Sequence, residues 1–162
     1  MIALIQRVSA GSVRIEGEAV GAIDGGVLAL IGIVRGDDRS RADRLLQRML
    51  DYRVFPDAAG RMNLSLRQTG GGLLLVPQFT LAADTGRGSR ASFTPAAGPA
   101  EATALFSYLV EQARALHKPV AAGRFGAHMQ VSLINDGPVT FWLETPGGRI
   151  ERTLSGAAPN GL

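Results

Sequence analysis

The sequence contains no cysteine among its 162 residues. This absence excludes disulfide bonds, zinc sites built from thiolates and a cysteine nucleophile, and it is typical of a reducing compartment. Hydrophobic residues make up 46% of the chain and charged residues 19%. These proportions are typical of one globular domain with a single compact core.

Long apolar runs and targeting segments are also missing. The longest apolar stretch, GGVLALIGIV, has about half the length that a helix needs to cross a bilayer. The opening residues MIALIQRVSAGSVRIEG lack the basic start, the apolar stretch and the cleavage site of a signal peptide. We therefore expect a mature chain that begins at Met1, is cytoplasmic and has no membrane partner.

Most of the standard catalytic signatures do not occur. There is no GxSxG elbow, no GxxxxGK[ST] phosphate loop and no GxGxxG after a strand. His117 and His128 are the only histidines, and neither has a histidine four residues away, so we expect both to be structural or solvated. The carboxylates are read mostly as helix caps and turn residues, as at Asp37, Asp38, Asp57 and Asp136. We expect no metal, no cofactor and little side-chain acid–base chemistry.

The net charge is +3, and the excess comes from arginines that are scattered singly along the chain. Modest basicity of this kind permits a polyanionic partner such as a nucleic acid. It does not require one, because a nucleic-acid surface is marked by clustered charge rather than by the total.

Two segments predict amphipathic helices, because their apolar residues recur with a period of 3.6. The first runs from about Asp38 to Tyr52, with Asp37 or Asp38 as N-cap and a stripe of Ala42, Leu45, Leu46, Met49 and Leu50. The second runs from about Pro99 to Leu116, with a stripe of Ala102, Leu105, Phe106, Leu109, Val110 and Ala113. Both stripes are expected to belong to the core.

The remaining signal is β, in six short segments: IALIQRV, SVRIE, VLALIGIV, LLLVPQFTL, HMQVSLI and VTFWLE. Six strands with two helices do not alternate as in a doubly wound fold, so we predict a single mixed α+β domain with both helices packed on one sheet face. The composition changes after Glu144. We assign residues 1–144 to the domain and 145–162 to a C-terminal extension, in which RIERTL is expected to dock as a further strand.

Pro77 lies inside a segment that otherwise predicts a central, buried strand. Proline has no amide proton, so strand pairing must end or bulge there. The amides that follow, on Gln78, Phe79 and Thr80, are then free to point into a cleft, where they could stabilise an oxyanion. The other interpretation is an edge strand or bulge without chemistry. Thr80 could also act as a nucleophile, but no base is evident beside it.

A second unusual segment, Asn135-Asp136-Gly137-Pro138-Val139-Thr140, separates two predicted strands. Taken alone it predicts a hairpin turn. Only about 5–6% of X-Pro peptide bonds in folded proteins are cis, so the motif by itself indicates little.

Together these segments resemble the bacterial D-aminoacyl-tRNA deacylases, a family formerly named for D-tyrosyl-tRNA. PQFTLAAD is similar to the family's SQFTL motif, and NDGPVT matches its Gly-cisPro motif. The stretches MIALIQRV, RMNLSL, GRFGAHMQVSL and GPVTFWLE are also similar, so the resemblance spans about residues 1–144. The family usually has serine where this chain has Pro77, which removes a hydroxyl group and an amide proton.

The resemblance implies a deacylase-type three-layer fold and hydrolysis of the ester between a D-amino acid and the tRNA 3′ end. It assigns the catalytic positions to Gln78, Phe79 and Thr80, whose backbone groups surround the ester while the 2′-hydroxyl of the RNA assists. It also places Pro77 at the substrate. An aminoacyl ester is already activated, so orientation, oxyanion stabilisation and water suffice.

The resemblance further implies a homodimer with the active site at the subunit interface. Gly137 and Pro138 of one subunit would enter the partner's site, bind the amino group of the substrate and leave no room for an L side chain. Glycine has no side chain to exclude, so glycyl-tRNA should be hydrolysed as well. Arg7 and Met129 fall at positions that support the pocket or the cis motif; their alternatives are a strand-surface arginine and a core methionine.

The expected partner is thus the 3′ acceptor end of aminoacylated tRNA, with no DNA partner. Two alternatives remain open from the sequence. One is a non-catalytic tRNA- or RNA-binding module that kept the fold. The proline at position 77, where the family has serine, leaves this alternative open. The other is an esterase that uses Thr80 as nucleophile on small molecules.

Overall fold

The computed structural model describes residues 1–145. Of the C-terminal extension only Thr145 falls in this range, and the strand expected over residues 149–154 lies outside the described residues. The described part contains the strands β1 (Ile2–Ile15), β2 (Glu18–Ile23), β3 (Gly26–Gly32), β4 (Phe55–Pro56), β5 (Met62–Leu64), β6 (Gly72–Pro77), β7 (Val120–Ala122) and β8 (Gln130–Glu144). Its helices are α1 (Arg39–Asp51), α2 (Leu66–Thr69) and α3 (Pro99–Leu116), with a 3₁₀ turn at Phe79–Ala82.

Six strands form one mixed sheet in the order β2-β1-β3-β6-β7, with β8 added along β1. β1 is antiparallel to β2, β3 and β8, whereas β3, β6 and β7 are parallel. β1 pairs with β3 through Ile2–Val8 and with β2 through Gly11–Ile15. The two N-terminal strands that the sequence predicts are therefore one long strand, and β2 is a strand that the sequence analysis missed.

The two predicted helices are confirmed almost residue for residue. Asp38 is the N-cap of α1 and its carboxylate accepts a hydrogen bond from the Arg41 amide at 2.9 Å. α3 begins at Pro99, and the His117 amide closes it by donating to Ala113 O at 2.9 Å. All residues of both predicted stripes are buried, as expected for helices held mainly by one apolar face.

Both long helices pack on the same face of the sheet, as predicted. One core cluster joins their stripes to alternate residues of the central strands, among them Ala29 and Ile31 of β3 and Leu73 and Leu75 of β6. The opposite face has its own cluster, which includes Val13, Ile23, Leu28, Leu74 and Val76. Both faces of β3 and β6 are thus buried, which explains why these strands are apolar without alternation.

The amino group of Met1 is buried and forms an ion pair with Asp37. Its nitrogen lies 2.7 Å from Asp37 Oδ1, and both side chains have 0% exposure. The other carboxylate oxygen accepts the Val34 amide at 2.8 Å, and the Met1 nitrogen also donates to Thr145 Oγ1 at 3.1 Å. Asp37 lies in a turn, as one of its two readings predicts, since its amide donates to Val34 O at 3.1 Å, but it does not cap α1. Its ion pair with Met1 joins segments far apart in the sequence and was not predicted.

Candidate active site

The strand β6 ends where Pro77 predicts it to end. Pro77 pairs with Ile31 as the last position in the parallel register with β3. The next amide, on Gln78, donates to Ile31 O at 2.7 Å. The expectation that the Gln78 amide is free is therefore wrong, since the neighbouring strand still offers it a carbonyl oxygen.

Beyond Gln78 the chain turns into the 3₁₀ turn Phe79–Ala82 rather than continuing as the predicted strand through Leu81. The first bond of this turn is donated by the Leu81 amide to Gln78 O at 3.3 Å. The amides of Phe79 and Thr80 precede that bond, so they have no partner in the turn. Both residues are exposed, which leaves these two donors available to a ligand.

Gly32, which the sequence analysis did not single out, allows the turn to lie against the end of β3. A Cβ atom at this position would lie 2.9 Å from Leu81 Cβ and 3.5 Å from Gln78 O. A glycine at the end of an apolar strand is the sequence signal for such a close approach. Any larger residue would shift the turn that carries the two amides.

A cleft of about 490 Å³ lies beside the turn, within the size range of small-ligand sites. Pro77, Gln78 and Phe79 line one side of it, and Phe125 and Met129 are among the residues that line the rest. The walls are mainly apolar, with Ile31, Val76 and Ala97 also contributing. A bound ester that fills this apolar cleft would displace water next to the amides, which would strengthen their electrostatic effect on the ester.

Met129 packs at the inner wall of this cleft. It is half-buried against the second core cluster, and its Sδ accepts the Arg124 amide at 3.4 Å. A Cβ atom on Gly123 would lie 2.7 Å from Met129 Sδ and 3.4 Å from Pro77 Cδ. Gly123 therefore allows Met129 and Pro77 to approach each other. The sequence alone does not indicate this role.

The two histidines occupy different environments. His117 is buried, with Nε2 2.7 Å from Gly71 O, so the expectation of a structural histidine is confirmed there. His128 is exposed and lines the cleft. Among the described residues that line the cleft, His128 has the one ionisable side chain.

The Thr80 hydroxyl accepts a hydrogen bond from the Gln78 side-chain amide. An amide nitrogen cannot remove a proton from a hydroxyl group, so this contact orients Thr80 without activating it. Within residues 1–145 no other hydrogen bond involves that hydroxyl. The geometry therefore does not favour Thr80 as a nucleophile.

The second unusual segment is a bulge in β8 and not the predicted hairpin turn. β8 runs continuously along β1, but its register jumps between Val8↔Asn135 and Gln6↔Thr140. Four residues of β8 lie between those pairs, opposite one residue of β1. The Asn135 side chain closes the bulge, because Oδ1 accepts the Val139 amide at 2.7 Å and Nδ2 donates to Val139 O at 3.1 Å.

Arg7 is the β1 residue that faces this bulge. Its Nε donates to Asp136 O at 2.8 Å, and it donates to Val54 O at 2.7 Å. The Asp136 carboxylate is 3.3 Å away, and the arginine side chain is only 14% exposed. Arg7 thus holds the residue that precedes Gly137 and lies at the bulge rather than in the cleft.

Gly137 and Pro138 are exposed at the tip of the bulge, and the peptide bond between them is cis. Neither residue lines the cleft of its own chain. The structure therefore brings Pro77, Gln78, Phe79 and Met129 into one cleft, with Thr80 adjoining it, and places Arg7, Gly137 and Pro138 together at a separate position.

Two groups with shifted pKa values lie outside the cleft. The pKa of Asp57 is lowered, mainly because its carboxylate accepts the Arg61 amide in an exposed turn. The pKa of Tyr108 is raised, mainly by its hydrogen bond to Asp43. Within the described residues no group of three or more ligands could hold a metal ion, and no helix is long and apolar enough to cross a membrane.

The fold is of the type found in D-tyrosyl-tRNA deacylases. The structure titled "Structural Analysis of a probable eukaryotic D-amino acid tRNA deacylase" has a TM-score of 0.72, covers 88% of this chain and 97% of its own, and at 16% identity shows a shared fold. The structure titled "c-Myc DNA Unwinding Element Binding Protein" has a TM-score of 0.86 and is 35% identical. The match covers 91% of this chain and 100% of that one.

The sequence comparison defines the family more closely. The model described as "D-Tyr-tRNA(Tyr) deacylase" matches residues 4–144. A "D-aminoacyl-tRNA deacylase" from Thioalkalivibrio sulfidiphilus (strain HL-EbGR7) is 68% identical over 92% of this chain and 100% of its own length. A "D-aminoacyl-tRNA deacylase" from Janthinobacterium sp. (strain Marseille) is 62% identical over 89% of this chain and 97% of its own length. The chain belongs to the D-Tyr-tRNA(Tyr) deacylase family.

Proposed function

We propose that this protein hydrolyses the ester between a D-amino acid and the 3′ end of tRNA, as a cytoplasmic homodimer. The observation that carries the proposal is the pair of amides on Phe79 and Thr80 at the edge of an apolar cleft. Backbone amides without a partner in the protein are the groups that many hydrolases use to stabilise a tetrahedral oxyanion. Family membership and relatives named for a deacylase support the same reaction, and they do not favour the non-catalytic RNA-binding alternative.

In this reaction the oxygen of a water molecule bonds to the ester carbonyl carbon, and the carbonyl oxygen becomes an oxyanion that accepts hydrogen bonds from the two amides. The carbon–oxygen bond to the ribose then breaks, and the ribose oxygen takes up a proton. The products are the free D-amino acid and tRNA. The 2′-hydroxyl of the RNA, next to the leaving oxygen, is the group that assists proton transfer, since the cleft offers no activated side chain.

The family serine position carries Pro77 here, and the local geometry supports catalysis without that serine. The Gln78 amide already binds Ile31 O, and the Phe79 and Thr80 amides remain the available donors. A hydroxyl at position 77 is therefore not required for the oxyanion contacts. Pro77 instead ends the strand and forms part of the cleft wall.

Chiral selection is assigned to Gly137 and Pro138 of the partner subunit. The bulge is fixed by Asn135 and Arg7, yet its tip is exposed and lies outside its own chain's cleft, which fits a segment that acts in another subunit. The outer edge of β8 has no strand partner within residues 1–145, and the side chains of Ile134 and Trp142 on this strand are exposed. An unpaired edge with apolar residues supports a two-fold interface there.

Replacement of Thr80 by valine tests the assignment of the site to backbone groups. If the amides act, the Thr80→Val protein should keep kcat/KM for D-tyrosyl-tRNA within about fivefold of the wild-type value, because only the hydroxyl is lost. If Thr80 were the nucleophile, activity should fall by about a thousandfold or more. Single-turnover release of radiolabelled tyrosine distinguishes these outcomes, and Thr103→Val on the outer face of α3 is the matched control.

Glycyl-tRNA should also be hydrolysed, because a filter that works by excluding an L side chain has nothing to exclude on glycine. We expect glycyl-tRNA to react at most about 10- to 200-fold more slowly than D-alanyl-tRNA, since one methyl group changes binding by only about 1–3 kcal/mol. L-Alanyl-tRNA is the control and should remain intact. Protection of glycyl-tRNA together with L-alanyl-tRNA would contradict selection by steric exclusion.

A further inference from the structure

Two phenylalanine rings stand exposed at the rim of the cleft. Phe79 is 55% exposed and Phe93 is 44% exposed, and their ring centroids lie 5.0 Å apart at an interplanar angle of 48°. Phe79 lines the cleft, whereas Phe93 lies outside the lining residues. A contacting pair of aromatic rings left in water indicates a surface that meets a ligand.

The backbone around Phe93 is held on both sides, so the pair is positioned in advance. On one side, Asp84 and Ser92 form two backbone hydrogen bonds, of 2.8 and 2.9 Å, that close the loop of residues 84–92. On the other side, Ala97 N donates to Ile33 O at 3.1 Å and anchors the segment to the end of β3. A fixed platform loses little conformational entropy when it binds a planar group.

The loop 84–92, which ends next to Phe93, carries positive charge. Arg87 and Arg90 are both exposed, and within residues 1–145 neither guanidinium has a hydrogen-bond or ion-pair partner. Asp84 is the one acidic residue of the loop, and its carboxylate accepts the Gly86 amide at 2.9 Å. Arg35 is exposed as well, and its amide binds Pro95 O at 2.9 Å, two residues after Phe93.

Exposed aromatic rings beside arginines with no partner in the protein are the chemistry that binds single-stranded nucleic acid, through base stacking and phosphate contacts. We propose that the Phe79–Phe93 pair stacks on the base of the nucleotide preceding the esterified one, and that Arg87 and Arg90 bind phosphates of the same single strand. This inference rests on the proposed function, which puts the esterified nucleoside in the cleft beside Phe79. The RNA strand that leads away from that nucleoside must then pass over the rim of the cleft.

The stacking role is tested by two substrates that differ only in the upstream RNA, D-tyrosyl-tRNA and the D-tyrosyl ester of adenosine. For Phe93→Ala the ratio of kcat/KM between the first and the second should fall by about tenfold, as stacking on one base predicts. Phe93→Trp should restore the ratio, because tryptophan also stacks. An equal loss on both substrates, or an unchanged ratio, would overturn the proposal.

The phosphate contacts are tested by binding, which does not depend on hydrolysis. The probe is a fluorescent single-stranded RNA that ends in CCA, titrated against the full chain at several salt concentrations. Loss of two phosphate contacts in Arg87→Ala/Arg90→Ala should reduce the slope of log K against log salt by about 1.4. Arg114→Ala, on the outer surface of α3, is the matched control. An unchanged slope in the double variant would overturn the arginine contacts.

These measurements separate the two proposals. If the wild-type chain binds the RNA but releases no amino acid from any ester, the deacylase function fails while the single-strand site stands. If the chain hydrolyses D-tyrosyl-tRNA and the Phe93 and arginine variants match the wild type in both assays, the site fails and the deacylase function stands.

Discussion

Replacement of Gly137 by alanine should lower kcat/KM for D-tyrosyl-tRNA by about a hundredfold, with little change in the stability of the fold. Gly137 has φ +156°, and a Cβ atom there would lie 2.6 Å from Val139 N and 2.5 Å from Val139 Cγ2. Because one of these contacts is with backbone, the tip of the bulge must move. A displacement of about 1 Å at a substrate-positioning group costs on the order of a hundredfold in rate.

The matched control for this variant is Gly25→Ala, where the nearest atom to a new Cβ is Val8 O at 3.9 Å. That variant should keep wild-type activity and stability. The sharper test of the partner-subunit assignment is a mixture of Gly137→Ala with Gly32→Val, which displaces the turn that carries the amides of its own site. Activity that appears only after the subunits exchange supports a shared site. A Gly137→Ala protein with wild-type rates on both D- and L-tyrosyl-tRNA would contradict the assignment.

Replacement of Asp37 by alanine should destabilise the fold by about 3–5 kcal/mol, because it leaves the buried ammonium group of Met1 without its counter-ion. The Val34 amide would lose its acceptor as well. For a chain of this size the loss corresponds to a fall in Tm of about 10 °C. Thermal unfolding followed by circular dichroism measures it directly.

The neighbouring carboxylate supplies the control for this prediction. Asp38 caps α1 from an exposed position, so Asp38→Ala should cost about 1 kcal/mol. A larger effect at Asp38 than at Asp37 would mean that the helix cap, and not the buried ion pair, holds this corner of the fold. Asp37→Asn keeps the acceptor for Val34 but removes the charge, so its cost should fall between the two.

The local parts of the fold could be predicted from the sequence, whereas the pairing between distant segments could not. α1 and α3 follow from their apolar stripes and from Asp38 and Pro99 as start signals. The end of β6 follows from Pro77, because a missing amide proton acts locally. The continuity of β1, the strand β2 and the bulge in β8 depend on which strands pair with them. A local turn motif in the sequence does not reveal which strand will lie beside it.

The candidate site likewise has features that the sequence predicts and features that depend on distant segments. The segment around Gln78 could be singled out from Pro77 alone, but the acceptor for the Gln78 amide, Ile31 O, lies on another strand. Gly32 and Gly123 matter only because Leu81 and Met129 pack against them. The roles proposed for Gly137 and Pro138 come from family resemblance, and the structure adds that Arg7 and Asn135 hold their bulge in place.

The central claim is stereospecific hydrolysis, and the most direct measurement is the release of tyrosine from D-tyrosyl-tRNA and from L-tyrosyl-tRNA by the purified full-length protein under identical conditions. The proposed mechanism predicts rapid release of the D-amino acid and release of the L-amino acid no faster than in the absence of protein. Equal rates on the two esters would contradict the chiral filter, and no release from either would contradict the deacylase function itself.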